Sequence, residues 1–185
     1  TRYAELGKRV KALEPDVLVI HSNDHWINFF LENMPAFLVG VGEEHDGPPE
    51  PFMQPIFNGC SFLGHRALGS HILEYAINAD FDPAYSHRIK VDHGIGIPLW
   101  RMGFDTLPPV VPIFLNLMEE PFPTPKRCLA WGHMIREAIA AYPEDLRVVV
   151  MGTGGLSLGA LGTEPASPLC EGHCRCARAC KGMQG

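Results

Sequence analysis

Asp16-Val17-Leu18-Val19-Ile20-His21-Ser22-Asn23-Asp24-His25-Trp26 runs from an unbroken apolar segment into a cluster of polar side chains. The apolar part, Val17 to His21, lacks polar alternation, the pattern of a strand covered on both faces, as strands of parallel sheets are. The polar part then stands at the carboxyl end of that strand. A second dipeptide of the same kind lies far downstream in Val91-Asp92-His93-Gly94. Two Asp-His pairs, each placed where a strand or turn ends, read as parts of one polar site. His25 and His93 are its candidate metal ligand and acid–base group.

Outward from this stretch the elements alternate. Tyr3, Leu6, Val10 and Leu13 recur at three- and four-residue spacing, predicting an amphipathic helix from Arg2 to Leu13 that Pro15 ends. Ala36 to Val41 reads as a second strand. Gly42 to Ser61, rich in Pro and Gly, is too irregular for an element and too long for a plain connector, so it reads as a loop covering a site. A helix from about Leu63 to Ala79, a short strand near Ala84 to Ser86, the Asp92-His93-Gly94 turn and a short helix through Leu99 follow. The strand Val110 to Leu115, a helix from Lys126 to Ala141 and a last strand, Arg147 to Met151, lead into Gly152-Thr153-Gly154-Gly155. Strands separated by helices predict an α/β fold, a mostly parallel sheet with helices on both faces. In such sheets ligands sit at the carboxyl ends of strands, where His25 and the glycine-rich run fall.

Composition excludes several classes of partner. The 185 residues are 46% hydrophobic and 19% charged, enough apolar content for one domain with a real core. A net charge of -6 without a Lys/Arg cluster argues against nucleic acid, which needs a localised positive patch. No apolar run approaches the roughly 18 residues of a membrane span. No secretory leader opens the chain, so the expectation is a cytoplasmic protein, with the reservation that an initiator Met is absent and a leader could have been lost.

Most of the histidines have structural readings. A lone His at a strand end is more often hydrogen-bonded than metal-bound, and Asp24 is the adjacent carboxylate that would fix the tautomer of His25. Asp92-His93-Gly94 fits an ordinary turn. His45, among carboxylates, reads as solvated, and His65, His71 and His133 as structural helix residues. Gly152-Thr153-Gly154-Gly155 lacks the Lys-Ser/Thr of a phosphate-binding loop.

Taken in order, Asn23-Asp24-His25 with Phe29-Phe30, Asn33-Met34-Pro35-Ala36-Phe37, Gly40-Val41-Gly42, Val91-Asp92-His93-Gly94 with Pro98-Leu99, and Gly152-Thr153-Gly154-Gly155-Leu156-Ser157 form a pattern. From about Val17 to Ser157 this pattern resembles the class III extradiol ring-cleavage dioxygenases, relatives of the protocatechuate 4,5-dioxygenase beta subunit. The resemblance implies a non-haem Fe(II) cofactor, a catechol-type aromatic substrate and O2 as partners, and ring cleavage next to the diol. It makes His25 one of two histidine iron ligands, with Asp24 holding the local geometry, and His93 the catalytic acid–base histidine. It also implies a homo-oligomer or a small second subunit in the full-length protein.

The departures point to a fragment, incomplete at both ends. The family's other histidine ligand, in a Ser-His-x-Pro segment ahead of the first helix, is not in this chain, and no context matches its Glu ligand. Position 158 is Leu where the family carries a second catalytic histidine. Residues 1–157 thus read as a partial catalytic domain and 158–185 as an atypical tail, expected to be frameshifted and disordered. Its crowded Cys170, Cys174, Cys176 and Cys180 lack the two-residue gaps of common zinc and iron–sulfur sites. The expected function is that of an oxidoreductase, inactive as this fragment; the rival is a non-catalytic α/β domain that binds a ligand or partner. If Leu158-Gly159 is encoded CTG-GGN, restoring the nucleotides CA gives CAC-TGG, His-Trp. Resequencing the parent DNA is expected to restore that histidine and to open family-like sequence downstream; an intact Leu158 codon with no such frame overturns the reading.

Overall fold

A computed structural model of the chain describes residues 1–154, and the expectations for the tail and for a boundary at 157 lie outside the described residues. The elements in chain order are helix α1 (Arg2–Ala12), strands β1 (Val17–Asn23), β2 (Phe37–Gly40) and β3 (Glu44–Asp46), and a 3-10 turn (Pro51–Met53). Helix α2 (Gln54–Phe57), strand β4 (Ser61–Leu63), helix α3 (Arg66–Asn78), strand β5 (Ala84–Ser86) and helix α4 (His93–Met102) follow. Strand β6 (Val110–Leu115), helix α5 (Pro125–Ala140) and strand β7 (Val148–Gly152) complete them.

The main sheet has the order β5-β2-β6-β1-β7. Strand β1 lies between β6 and β7, parallel to both, with Leu18 opposite Val110 and Val149. Its apolar run is buried on both sides, as the sequence predicts. Val17 and Val19 face a cluster with Leu68 and Ile72 of α3 and Trp131 and Ile135 of α5. Leu18 and Ile20 face a second cluster with Val10 of α1 and Ile95 and Leu99 of α4. Successive side chains of a strand point to opposite faces, so one apolar run serves both cores.

The sheet is mostly parallel, as the sequence predicts, with β2 parallel to β5 and antiparallel to β6. No crossover helix separates β1 from β2, and a chain that returns without one comes back antiparallel. Three differences from the sequence reading have physical causes. The segment from Gly42 to Ser61 is not irregular throughout: β3 pairs antiparallel with β4, with His45 opposite Phe62. His45 is fully buried rather than solvated. Finally, Tyr3, Leu6 and Leu13 of the predicted inward stripe are exposed. Helix α1 instead meets α4 through Gly7, whose missing side chain lets the Met102 carbonyl approach, and through buried Val10.

The His45 Nδ1 accepts a hydrogen bond from the Ile89 backbone N–H at 3.3 Å, which leaves the ring proton on Nε2. Burial then pushes its pKa down from 6.5 to about 4. A histidine held neutral in the folded state contributes stability that is intact above pH 6.5. As pH falls from 6.5 towards 4 the unfolded chain takes up a proton that the folded chain refuses, and that contribution, ~3 kcal/mol, is lost. Urea unfolding at a series of pH values is expected to show this decline, and His45→Gln is expected to lessen it, with the His21 imidazole, also pushed down to about 4 by burial, keeping part of it.

Candidate active site

The polar cluster starts where β1 ends. Asp24 is fully buried, and its carboxylate accepts from the backbone N–H groups of Ile27, Asn28 and Phe29 and from Asn28 Nδ2, all at 2.7–3.1 Å. A short acidic side chain that gathers the next backbone donors in this way sets the path of a loop. Asp24 therefore shapes the turn after His25 and does not touch its ring. Trp26 within that turn has φ 59°, a left-handed conformation uncommon for a bulky residue.

The carboxylate on the His25 ring is Asp92, 67 positions away. Fully buried, it accepts through Oδ2 from both the His25 backbone N–H at 3.1 Å and Nδ1 at 2.9 Å. Its Oδ1 accepts from the Gly94 N–H at 2.8 Å, so the same side chain caps α4. With Nδ1 donating, the His25 Nε2 carries the lone pair; the Asn23 side-chain amide lies 2.9 Å from it. Burial opposes protonation of His25, but Asp92, with the charges of Asp24 and Glu50 behind it, outweighs that and raises the pKa above the ordinary value. Glycine at 94 lets the elements meet, since a Cβ there would stand 2.8 Å from both His25 Cε1 and Ser22 Oγ.

His93 opens α4, and its ring centroid lies 4.2 Å from that of His25. Glu50 holds it: Oε1 accepts from the His93 N–H at 3.0 Å and from Nδ1 at 2.8 Å. Phe52 packs edge-on to the same ring at 5.7 Å. The glycine-rich run reaches this rim as well. The Thr153 N–H donates to the His21 carbonyl, and Gly154 lies against Asn23 Oδ1, a contact a Cβ would close. The structure thus brings together His25, His93 and the run after β7. It leaves three other candidate histidines elsewhere: His65 caps α3, His71 meets the Ala138 carbonyl, and His133 is exposed on α5.

Sequence reasoning assigned the wrong carboxylate to His25 and missed Glu50. The one signal for Glu50 was its place in Pro48-Pro49-Glu50-Pro51, inside the segment expected to cover the site. Donor atoms of His25, Asp92 and His93 lie within 4.8 Å of one another, a spacing a metal ion can use. Both Asp92 oxygens are already committed, which leaves Nε2 of each imidazole as the donor atom, that of His25 engaged here by the Asn23 side-chain amide at 2.9 Å. His25 has the arrangement usual for a metal-ligating histidine, with a carboxylate on the far ring nitrogen. Among the described residues the set fits part of a metal centre, not a whole one.

Residues 1–165 match the catalytic LigB subunit of aromatic ring-opening dioxygenase. The chain belongs to this family. The 2,3-dihydroxyphenylpropionate/2,3-dihydroxicinnamic acid 1,2-dioxygenase of Xanthobacter autotrophicus is 33% identical over 164 residues, 88% of this chain and 48% of that protein. The protein of the same name from Mycobacterium ulcerans is 34% identical over 159 residues, 83% of this chain and 47% of its own length. That of Klebsiella pneumoniae is 32% identical over 162 residues, 83% and 47% respectively. The chain spans about half the length of the curated relatives it matches. As a LigB-family chain it has, among the described residues, no helix long and apolar enough to cross a membrane.

Asp92→Ala removes the helix cap and leaves three donors, one of them the His25 ring, without their acceptor. It is expected to lower unfolding free energy by at least ~2 kcal/mol. Exposed Asp82→Ala is expected to change it by less than ~0.5 kcal/mol. Chemical denaturation of the two variants checks the contrast.

Proposed function

We propose that this chain carries part of the active site of an Fe(II)-dependent extradiol dioxygenase, an oxidoreductase that inserts both atoms of O2 into a catecholic ring with cleavage next to the diol. The observation that carries this is the adjacency of two imidazoles, one backed by Asp92 and one by Glu50, at the end of β1 in a LigB-family fold. His25 is the iron ligand, through Nε2. Bound Fe(II) would supply open coordination positions for a catecholate and O2 and a path for electrons between them, leaving the chain's own residues to hold the metal and handle the protons. The remaining protein ligands of the metal lie beyond the residues described.

His93 is the acid–base group. With Nδ1 engaged by Glu50, its Nε2 is the nitrogen that accepts a catechol hydroxyl proton. Asp92 keeps the His25 ring fixed while this happens. The names of the three relatives support a catechol bearing a short carboxylate side chain as substrate. The proposal places residues 1–157 in the catalytic domain and reads 158–185 as out of frame. It assigns the protein to the cytoplasm, which the free thiols of Cys60 and Cys128 support. It has the whole protein assemble with copies of itself or a small second subunit, which the exposed Tyr3, Leu6 and Leu13 support.

Ferrous iron and a 2,3-dihydroxyphenyl acid, mixed aerobically with the 185-residue chain, are expected to give no yellow ring-fission product. The open reading frame restored on both sides is expected to give it. In that protein His25→Ala is expected to abolish turnover with loss of bound iron, and His93→Gln to slow it ~10²- to 10⁴-fold with iron retained. Turnover by the 185-residue chain overturns the fragment reading. A restored protein that binds iron and catechol without turnover favours the rival, a binding domain, whose supporting observation is the incomplete donor set.

A further inference from the structure

Glu50 stands between Pro49 and Pro51, and its backbone is extended at φ −66° and ψ 134°. A residue before proline is held out of the helical region, so this segment aims the side chain in one direction. The segment itself is clamped. Gln54 Nε2 donates to the Pro48 carbonyl at 2.9 Å, Met53 is buried, and Pro48 presses on α4 at Gly96, where a Cβ would meet it at 2.9 Å. The Glu50 side chain is 10% exposed. Oε1 accepts both of its hydrogen bonds from His93, and Oε2 is buried with no hydrogen-bond partner among the described residues. The carboxylate also stands at the N-terminus of a ten-residue helix, where negative charge is favoured.

A carboxylate can only accept. The His93 nitrogen facing it must therefore carry the proton, and the neutral ring has its lone pair on Nε2. A histidine free in water prefers the opposite tautomer. We propose that Glu50 is the positioning residue that holds His93 as its Nδ1–H tautomer, and so decides which ring nitrogen takes the substrate proton. This deepens the dioxygenase reading and rests on it for the identity of the proton donor, but the tautomer itself needs neither iron nor substrate. The device parallels the Asp92–His25 pair beside it. There a helix cap orients a ring just past the end of β1; here a proline-braced loop does the same for the first residue of that helix.

The test is long-range proton–nitrogen NMR of the imidazole-labelled 185-residue chain at about pH 8, with the His93 signals assigned by their loss in His93→Gln. The native chain is expected to show the Nδ1–H pattern at His93. Glu50→Ala is expected to move that ring to mainly Nε2–H. Glu50→Gln, whose amide oxygen still accepts, is expected to keep the native pattern. Should Glu50→Ala lose the dispersed spectrum of a folded chain, Glu50→Asp, one methylene short of the ring, provides the comparison. An Nε2–H ring in the native chain, or an unchanged ring in the folded Ala or Asp variant, overturns the proposal.

In the restored enzyme Glu50→Ala is expected to lower kcat by ~10- to 100-fold with KM little changed, and Glu50→Gln to recover most of it. A tautomer shift in a restored protein without dioxygenase activity upholds the assignment of Glu50 and sinks the dioxygenase reading instead. A normal tautomer shift with unchanged kcat in an active enzyme overturns the catalytic consequence.

Discussion

The buried carboxylate of Asp92 is the interaction on which the site depends. A charge that is fully buried is costly unless its oxygens are engaged, and here three N–H groups from two distant segments engage them. Two belong to His25, past the end of β1, and one to Gly94, in the first turn of α4. The same bonds that satisfy the charge therefore weld the helix start to the strand end and fix the His25 ring. Gly94 is the steric counterpart, because any side chain there would separate what Asp92 joins. Removing the carboxylate does more than free one ring; it takes away the reason the two segments meet at this distance.

The sheet explains why this weld can be rigid. Strand β1 is interior to the sheet and buried on both faces, so its carboxyl end is set by two cores at once. Helix α4 packs on one of those cores through Ile95 and Leu99, and α1 closes over it at Gly7. Positional error at the His25–His93 contact is thus limited by the core, with the loop after β1 held by Asp24 and the segment over α4 by its prolines.

Much of this was legible in the sequence, and the parts that were not share one cause. Unbroken apolar runs identify β1 and β6, the helical spacing identifies α3 and α5, and ordered motifs pick out His25 and His93. Partnership across long sequence separation leaves no such mark. Asp24 is next to His25 in the chain, yet neighbouring side chains in extended backbone point away from each other, so Asp24 turns to its own loop while Asp92 takes the ring. Glu50 is one acidic residue among several in a loop, and its pairing with His93 is visible only once that loop is folded over α4. His45 looked solvated from its charged neighbours, but alternation in a three-residue strand put it inward and Glu44 outward. Local composition cannot register that reversal, nor the direction of β2.

The two histidines differ in ways that suit different work. His25 has 20% of its side chain exposed, and its partner Asp92 none; His93 has 33% exposed, and its partner Glu50 10%. A metal ligand gains from immobility, because a coordination sphere tolerates little displacement of its donor atoms. An acid–base group must be reached by substrate and must change its charge without disrupting the fold. His25, tied at both backbone and ring to a carboxylate inside the core, meets the first requirement. His93, at the first position of its helix and tethered to a loop carboxylate nearer the surface, meets the second. The loop also carries Phe52 to the His93 ring, an aromatic surface beside the proton-accepting side chain. Division of labour between two adjacent imidazoles therefore follows from where their carboxylates are anchored, one buried at the cap of α4 and one in the cover.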